Sequence, residues 1–114
     1  MRLKEVVELL NANVVSGHAH LDAEVEYCFS SDLMSDVLTV ETDNLLLLTG
    51  LANLQTIRTA EMSDITKIIF VRKKKATEEM IHLAAENEMI LIECDYSMFK
   101  TSGILYRAGL KPVY

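Results

Sequence analysis

Asp43 to Asn53 reads DNLLLLTGLAN, and the interpretation of this stretch decides the fold. Leu45, Leu46, Leu47 and Leu48 are consecutive, and Thr49-Gly50 ends the run. So short an apolar run, with no polar alternation, reads as a strand buried on both faces. Such a strand needs a packed layer on each side. The Thr-Gly step then turns the chain at the strand's C-terminal end, where open α/β sheets place ligands.

Working outward, Ile68 to Val71 and Met89 to Ile92 are two further buried strands. Between the strands, Leu51, Leu54, Ile57 and Met62 suggest one helix. Thr77 caps the next, with Glu78 and Glu79 in its first turn and Met80, Ile81, Leu83 and Ala84 facing inward. Ser97 starts a last helix, which stops at Gly109 with Pro112 beyond it. Upstream, Leu3, Val6, Val7 and Leu10 mark a short amphipathic helix, and Val14-Val15 a strand broken at Ser16-Gly17. From His18 to Tyr27 polar and apolar residues alternate, which predicts a strand with one wet face, a turn inside it being the alternative. Ser30-Ser31-Asp32 offers an N-cap to a helix whose buried stripe is Leu33, Met34, Val37 and Leu38. Buried strands alternating with helices predict an α/β fold, a three-layer α/β/α sandwich around a largely parallel central sheet.

With 114 residues, half of them hydrophobic, the expectation is one domain over 1–114. A net charge of −6 argues against nucleic acid as partner, because phosphate backbones need clustered Lys and Arg. No apolar run approaches the roughly 20 residues of a membrane helix, so no membrane is expected. Charges at Lys4, Glu5 and Glu8 exclude a signal peptide there, and two distant cysteines fit reduced thiols in a cytoplasmic protein.

Leu21 to Leu38, LDAEVEYCFSSDLMSDVL, resembles the DRTGG domain family. Its most specific part is Ser31-Asp32-Leu33-Met34-Ser35-Asp36-Val37. The later layout also fits: LLLLTG, IIFV, a helix, MILIE, then Ser97-Met98-Phe99. The same layout is similar to the N-terminal domain of HPr kinase/phosphorylase, with Leu54-Gln55 in the place of that family's Ile-Gln segment. The likeness spans about residues 3 to 110. One departure is plain: Gly50-Leu51-Ala52-Asn53 stands where the family's charged Asp and Arg would follow Thr49. The resemblance implies a stand-alone regulatory or interaction module without catalysis, of a kind that occurs beside CBS domains. No GxxxxGK[ST] phosphate loop is present.

No set of residues forms a catalytic motif, and neither an enzyme nor a cofactor is expected. His18, His20 and Asp22 would share one strand face; without further ligands they read as an exposed polar surface rather than a metal site. Cys28 and Cys94 read as small buried hydrophobes, since His82 has no visible tie to either thiol. Asp32 and Asp36, four apart on one predicted helix, read as capping or solvated carboxylates. Arg72 to Lys75 is the only basic cluster. Parallel strands bring its loop to the edge that holds Thr49, Gly50, Ala52, Asn53 and Ser97. Thr49, Gly50, Ala52, Asn53, Arg72, Lys73 and Ser97 are therefore the candidate contacts for a nucleotide or other phosphate ligand. An apolar surplus that includes Met34, Leu38, Met62, Met98, Phe99, Leu105 and Tyr106 points to a homodimer. Two functions stay open: a dimeric regulatory module that contacts a partner protein or CBS-type domain, and a small-molecule sensor at the sheet edge.

Overall fold

A computed structural model describes residues 1–114. The chain runs α1 (Leu3–Leu10), β1 (Asn13–Ser16), a 3-10 turn (His18–His20), β2 (Tyr27–Ser30), α2 (Met34–Val37), β3 (Leu45–Thr49), α3 (Leu54–Met62), β4 (Lys67–Phe70), α4 (Glu78–Glu86), β5 (Ile90–Glu93), α5 (Met98–Ala108) and β6 (Lys111–Pro112). Six strands make one sheet in the order β1-β5-β4-β3-β2-β6. Every neighbouring pair is parallel except β1 with β5. This is the expected three-layer sandwich with a largely parallel sheet.

All five residues of β3 are buried. Leu45 and Leu47 enter one core with Ile57, Ala60, Met80 and Ala84, beneath α2, α3 and α4. Leu46 and Leu48 enter the other with Leu3, Val6, Leu10 and Leu105, beneath α1 and α5. Connection handedness explains the division. From β2 to β5 the chain steps steadily across the sheet, so right-handed crossovers put α2, α3 and α4 on one face. To place β6 beside β2 the chain must travel back, and the same handedness sends α5 over the opposite face.

Three helix starts are capped by their own side chains. Asn53 accepts from the Thr56 amide at 2.9 Å, Thr77 from Met80 at 3.2 Å and Ser97 from Lys100 at 3.1 Å. Left-handed residues end α1 at Asn11 and α5 at Gly109. No helix is long and apolar enough to cross a membrane.

Two local expectations are corrected. His18 to Tyr27 is not a strand; only its last residue belongs to β2. Gly17 turns the chain with φ +80, packed against Ile90, and the 3-10 turn follows. The segment then spends its backbone groups on the start of α1. Leu3 donates to the Ala23 carbonyl, Lys4 to Leu21, and Val25 to Met1. The alternation is real, since Val25 is buried while Leu21 and Ala23 pack on the α1 core. It reflects one wet side, and its one β-bridge, Glu24 with Arg2, is isolated from the sheet. The second correction concerns the Ser30-Asp32 cap. Leu33 precedes α2, and its amide donates to the Ser31 hydroxyl at 3.0 Å. Asp32 lies outside the helix, and Leu33 and Leu38 are exposed rather than part of a buried stripe.

Candidate functional site

The C-terminal edge of the sheet is built from the exits of β2, β3, β4 and β5. Its topological switch lies between β4 and β5, whose following helices cover opposite faces. There the chain turns through Val71-Arg72-Lys73-Lys74. Arg72 and Lys73 both have left-handed backbones, with φ 58 and 62, and Lys74 N–H closes the turn on the Val71 carbonyl at 3.2 Å. That conformation costs about 1–2 kcal/mol for each non-glycine residue. Hydrogen bonds to the next exit loop offset it: Arg72 N–H donates to the Tyr96 carbonyl at 2.8 Å, and Lys73 N–H to Cys94 at 3.1 Å. The crevice between the two strand ends is thereby stitched shut by backbone.

Beside it, Thr49 and Gly50 are buried. The Asp32 carboxylate reaches over from the β2 exit. One of its oxygens accepts from the Thr49 hydroxyl at 3.0 Å and from the Gly50 amide at 2.6 Å. The Arg72 guanidinium lies against Gly50, where an added Cβ would sit 2.7 Å from Nη2. The structure thus brings Thr49, Gly50 and Arg72 together. The Asn53 and Ser97 side chains are committed to the caps of α3 and α5, and Ala52 packs half-buried on the α3 core. Arg72 and Lys73 have no carboxylate within ion-pair distance, whereas Lys75 Nζ is 3.5 Å from Glu93. Backbone amides of Ala52, Asn53 and Ser97 donate to no protein acceptor.

Two residues escaped the sequence reading of this edge. Asp32 looked like a helix cap; the parallel register pairs Ser30 with Leu48, and extending it two residues sets position 32 beside position 50. That signal is invisible until β2 is bounded correctly. Glu93 is buried and accepts from the Ala76 amide at 2.8 Å while holding Lys75, so it anchors the β4–α4 loop. A charged residue closing an otherwise apolar strand was the available clue.

The remaining candidates are scattered. His18, His20 and Asp22 fall in the 3-10 turn and its exit, where Asp22 meets Arg2 at 3.5 Å and Lys4 at 3.8 Å. Burial pushes the Cys28 thiol up to about 12, with the Ser30 hydroxyl pulling weakly the other way, so it stays neutral at ordinary pH. Cys94 is buried with its sulfur 3.7 Å from the Thr101 hydroxyl. His82 pairs with Glu86 at 2.9 Å on the outside of α4.

A different surface stands out on α5. Phe99 is 89% exposed and Tyr106 70% exposed. Between α5 and Leu9 of α1 runs an open groove of about 440 Å³, lined by Phe99, Lys100, Gly103, Ile104, Arg107 and Ala108.

No protein-family model and no curated protein matches the chain. Among solved structures it is similar to the crystal structure of the CBS and DRTGG domains of the regulatory region of Clostridium perfringens pyrophosphatase, complexed with the activator diadenosine tetraphosphate. The TM-score is 0.76 at 13% sequence identity, covering 98% of this chain and 48% of that one. The chain therefore spans about half the length of this neighbour. At that identity the likeness establishes the fold.

Proposed function

We propose that residues 1–114 form one DRTGG-like unit that acts as a dimeric regulatory or protein-interaction module rather than an enzyme. The observation that carries this reading is the outward face of α5, where Phe99 and Tyr106 stand in water on a helix with no covering layer. Exposed aromatics on one face are costly to solvate and are a common mark of protein contact. The pyrophosphatase neighbour supports the regulatory part, because its structure is that of a regulatory region with CBS and DRTGG domains, about half of which this chain matches. A CBS-type domain is accordingly the partner class we assign besides a second copy. Light scattering at micromolar concentration tests the dimer: a mass near twice 12.8 kDa is expected, and a mass of 12.8 kDa throughout overturns it.

A second reading is favoured by the unpaired Arg72 and Lys73 beside the free amides of Ala52, Asn53 and Ser97. In it the edge holds a phosphate-bearing ligand, as the neighbour's regulatory region holds a dinucleotide. The Gly50 amide is taken by Asp32, so the two cations and the outer amides would carry the contact. Calorimetry with adenine nucleotides on the parent chain and on Arg72→Ala/Lys73→Ala tests it. Binding that the double change weakens supports the sensor; no binding, or binding left untouched, removes it.

A further inference from the structure

The exposed layer formed by α1 and α5 carries opposite charges on its two halves. On α1, Glu5 and Glu8 are exposed, and Leu9 borders the groove. On α5, residues 99, 100, 103, 106 and 107 are all exposed and lie within one turn-wide stripe centred on Gly103. By helical position Lys100 and Arg107 lie on its side next to α1, where with Leu9 and Ile104 they line the groove that Phe99 and Gly103 also border. Phe99 and Tyr106 share a shallower depression with Ser102 on the other side, which Gly103 and Arg107 also border. None of Glu5, Glu8, Lys100 or Arg107 makes an ion pair within the chain. Lys100 rests on the Tyr96 ring at 4.0 Å. In a chain of net charge −6 this is an isolated cationic stripe beside an acidic one.

We infer that this layer is the surface on which a second copy of the chain docks, with α1 of each copy lying on α5 of the other. The inference rests on the dimeric reading above and locates its interface. A two-fold axis along the groove superposes the acidic half of one layer on the basic half of the other, twice, by symmetry. Glu5 and Glu8 then face Lys100 and Arg107 of the second copy. Leu9 and the exposed Phe99 enter the paired grooves, where their burial supplies the apolar drive. Gly103 sits at the centre of the stripe with nothing within 4 Å of where a Cβ would be. That open space lets the second copy's α1 approach the α5 backbone closely.

The alternative self-contact is worse. Leu38 and Met62 are also exposed, in a depression with Glu41, Asp43 and Asp64, but beside α2 and α3 on the far side of the sheet. Pairing that acidic patch with α5 is a heterologous, head-to-tail contact, which continues into a ring or a filament rather than ending at two copies. The α1–α5 pairing closes at two copies.

Complementary charge reversal tests this arrangement. Lys100→Glu/Arg107→Glu places acid against acid at both contacts, and Glu5→Lys/Glu8→Lys places cation against cation. Each variant alone is expected to be monomeric at a concentration where the parent is dimeric, and an equimolar mixture to form a mixed dimer. Added salt is expected to weaken the parent dimer, because exposed pairs are screened over about 10 Å at 0.1 M. Gly103→Arg serves as a control for folding, since the site is open and any ordinary residue suits a helix better than glycine. It is expected to melt no lower than the parent monomer, yet not to dimerise. If the reversals and Gly103→Arg leave a dimer intact, or the mixture stays monomeric, the interface is overturned while the dimeric reading stands. If the parent is monomeric up to about 100 μM, weaker than most functional homodimers, both fall. Growth beyond two copies overturns the closed pairing in favour of head-to-tail stacking.

Discussion

At the scale of single residues, Asp32 is the joint between neighbouring strand ends. Its carboxylate is the acceptor for a buried hydroxyl and a buried amide, while the same Thr49 hydroxyl accepts from the Leu51 amide at 3.1 Å. Asp32→Ala is expected to cost about 1–3 kcal/mol in urea denaturation, as for a buried donor left unpaired. Asp32→Asn keeps an acceptor oxygen and is expected to cost less; equal losses would show that the hydrogen bonds are not what matters. Cys28 makes a separate prediction. Its thiol titrates at 9.0 when free and at about 12 when folded. Well below pH 9 both states keep the proton and stability is unaffected by it. Between 9 and about 12 the unfolded chain releases a proton that the folded chain retains, so stability falls as pH rises. The parent is expected to lose more stability than Cys28→Ala between about pH 8 and about pH 10. An identical pH slope in the two proteins would assign the loss to other groups.

At the scale of elements, two glycines separate local conformation from packing. Gly17 holds φ +80 where the chain leaves β1, and an added Cβ would lie 2.7 Å from Ile90 Cγ1 and 3.0 Å from its Cα. Ile90 belongs to a buried strand and cannot retreat, so Gly17→Ala is expected to lower stability by more than about 1 kcal/mol. Gly103 lies inside α5 with open space around it within the chain, so Gly103→Ala is expected to raise the stability of the monomer by about 0.5–1 kcal/mol. Thermal melts of the two variants should move in opposite directions. A gain for Gly17→Ala would mean that the 3-10 turn after β1 is not held as described. Short elements here depend on such joints. The four-residue α2 has two exposed leucines at its ends and is held mainly by Met34 and Val37 in the core below.

At the scale of the whole molecule, association and stability are linked. A dimer that forms only from folded chains shifts unfolding by mass action, so the melting temperature should rise with protein concentration. The rise is expected for the parent and for the mixed charge-reversed pair, and to vanish for each charge-reversed variant alone. A parent melting temperature independent of concentration over a hundredfold range would count against coupled folding and dimerisation. The sheet itself needs no partner for its core, because β3 is already sealed on both faces within one chain.

The layered α/β architecture was legible in the chain because burial on both faces leaves a direct mark. LLLLT, KIIF and ILIE can be satisfied only between two helical layers. The caps at Thr77 and Ser97 belong to the same class, because a cap involves residues three apart and hence the sequence itself, whereas Asn53, read from sequence as a ligand contact, proves to be the cap of α3. What sequence could not decide were contacts between segments far apart in the chain. The alternation of His18 to Tyr27 is equally compatible with a strand and with a segment draped over α1, and only the α1 amides that needed partners chose between them. The neighbourhood of Gly50 was likewise settled by Asp32 and Arg72, eighteen residues before it and twenty-two after, through a register that exists only in the folded sheet. Local chemistry is written in adjacent residues; the alignment of strand ends is a property of the assembled sheet.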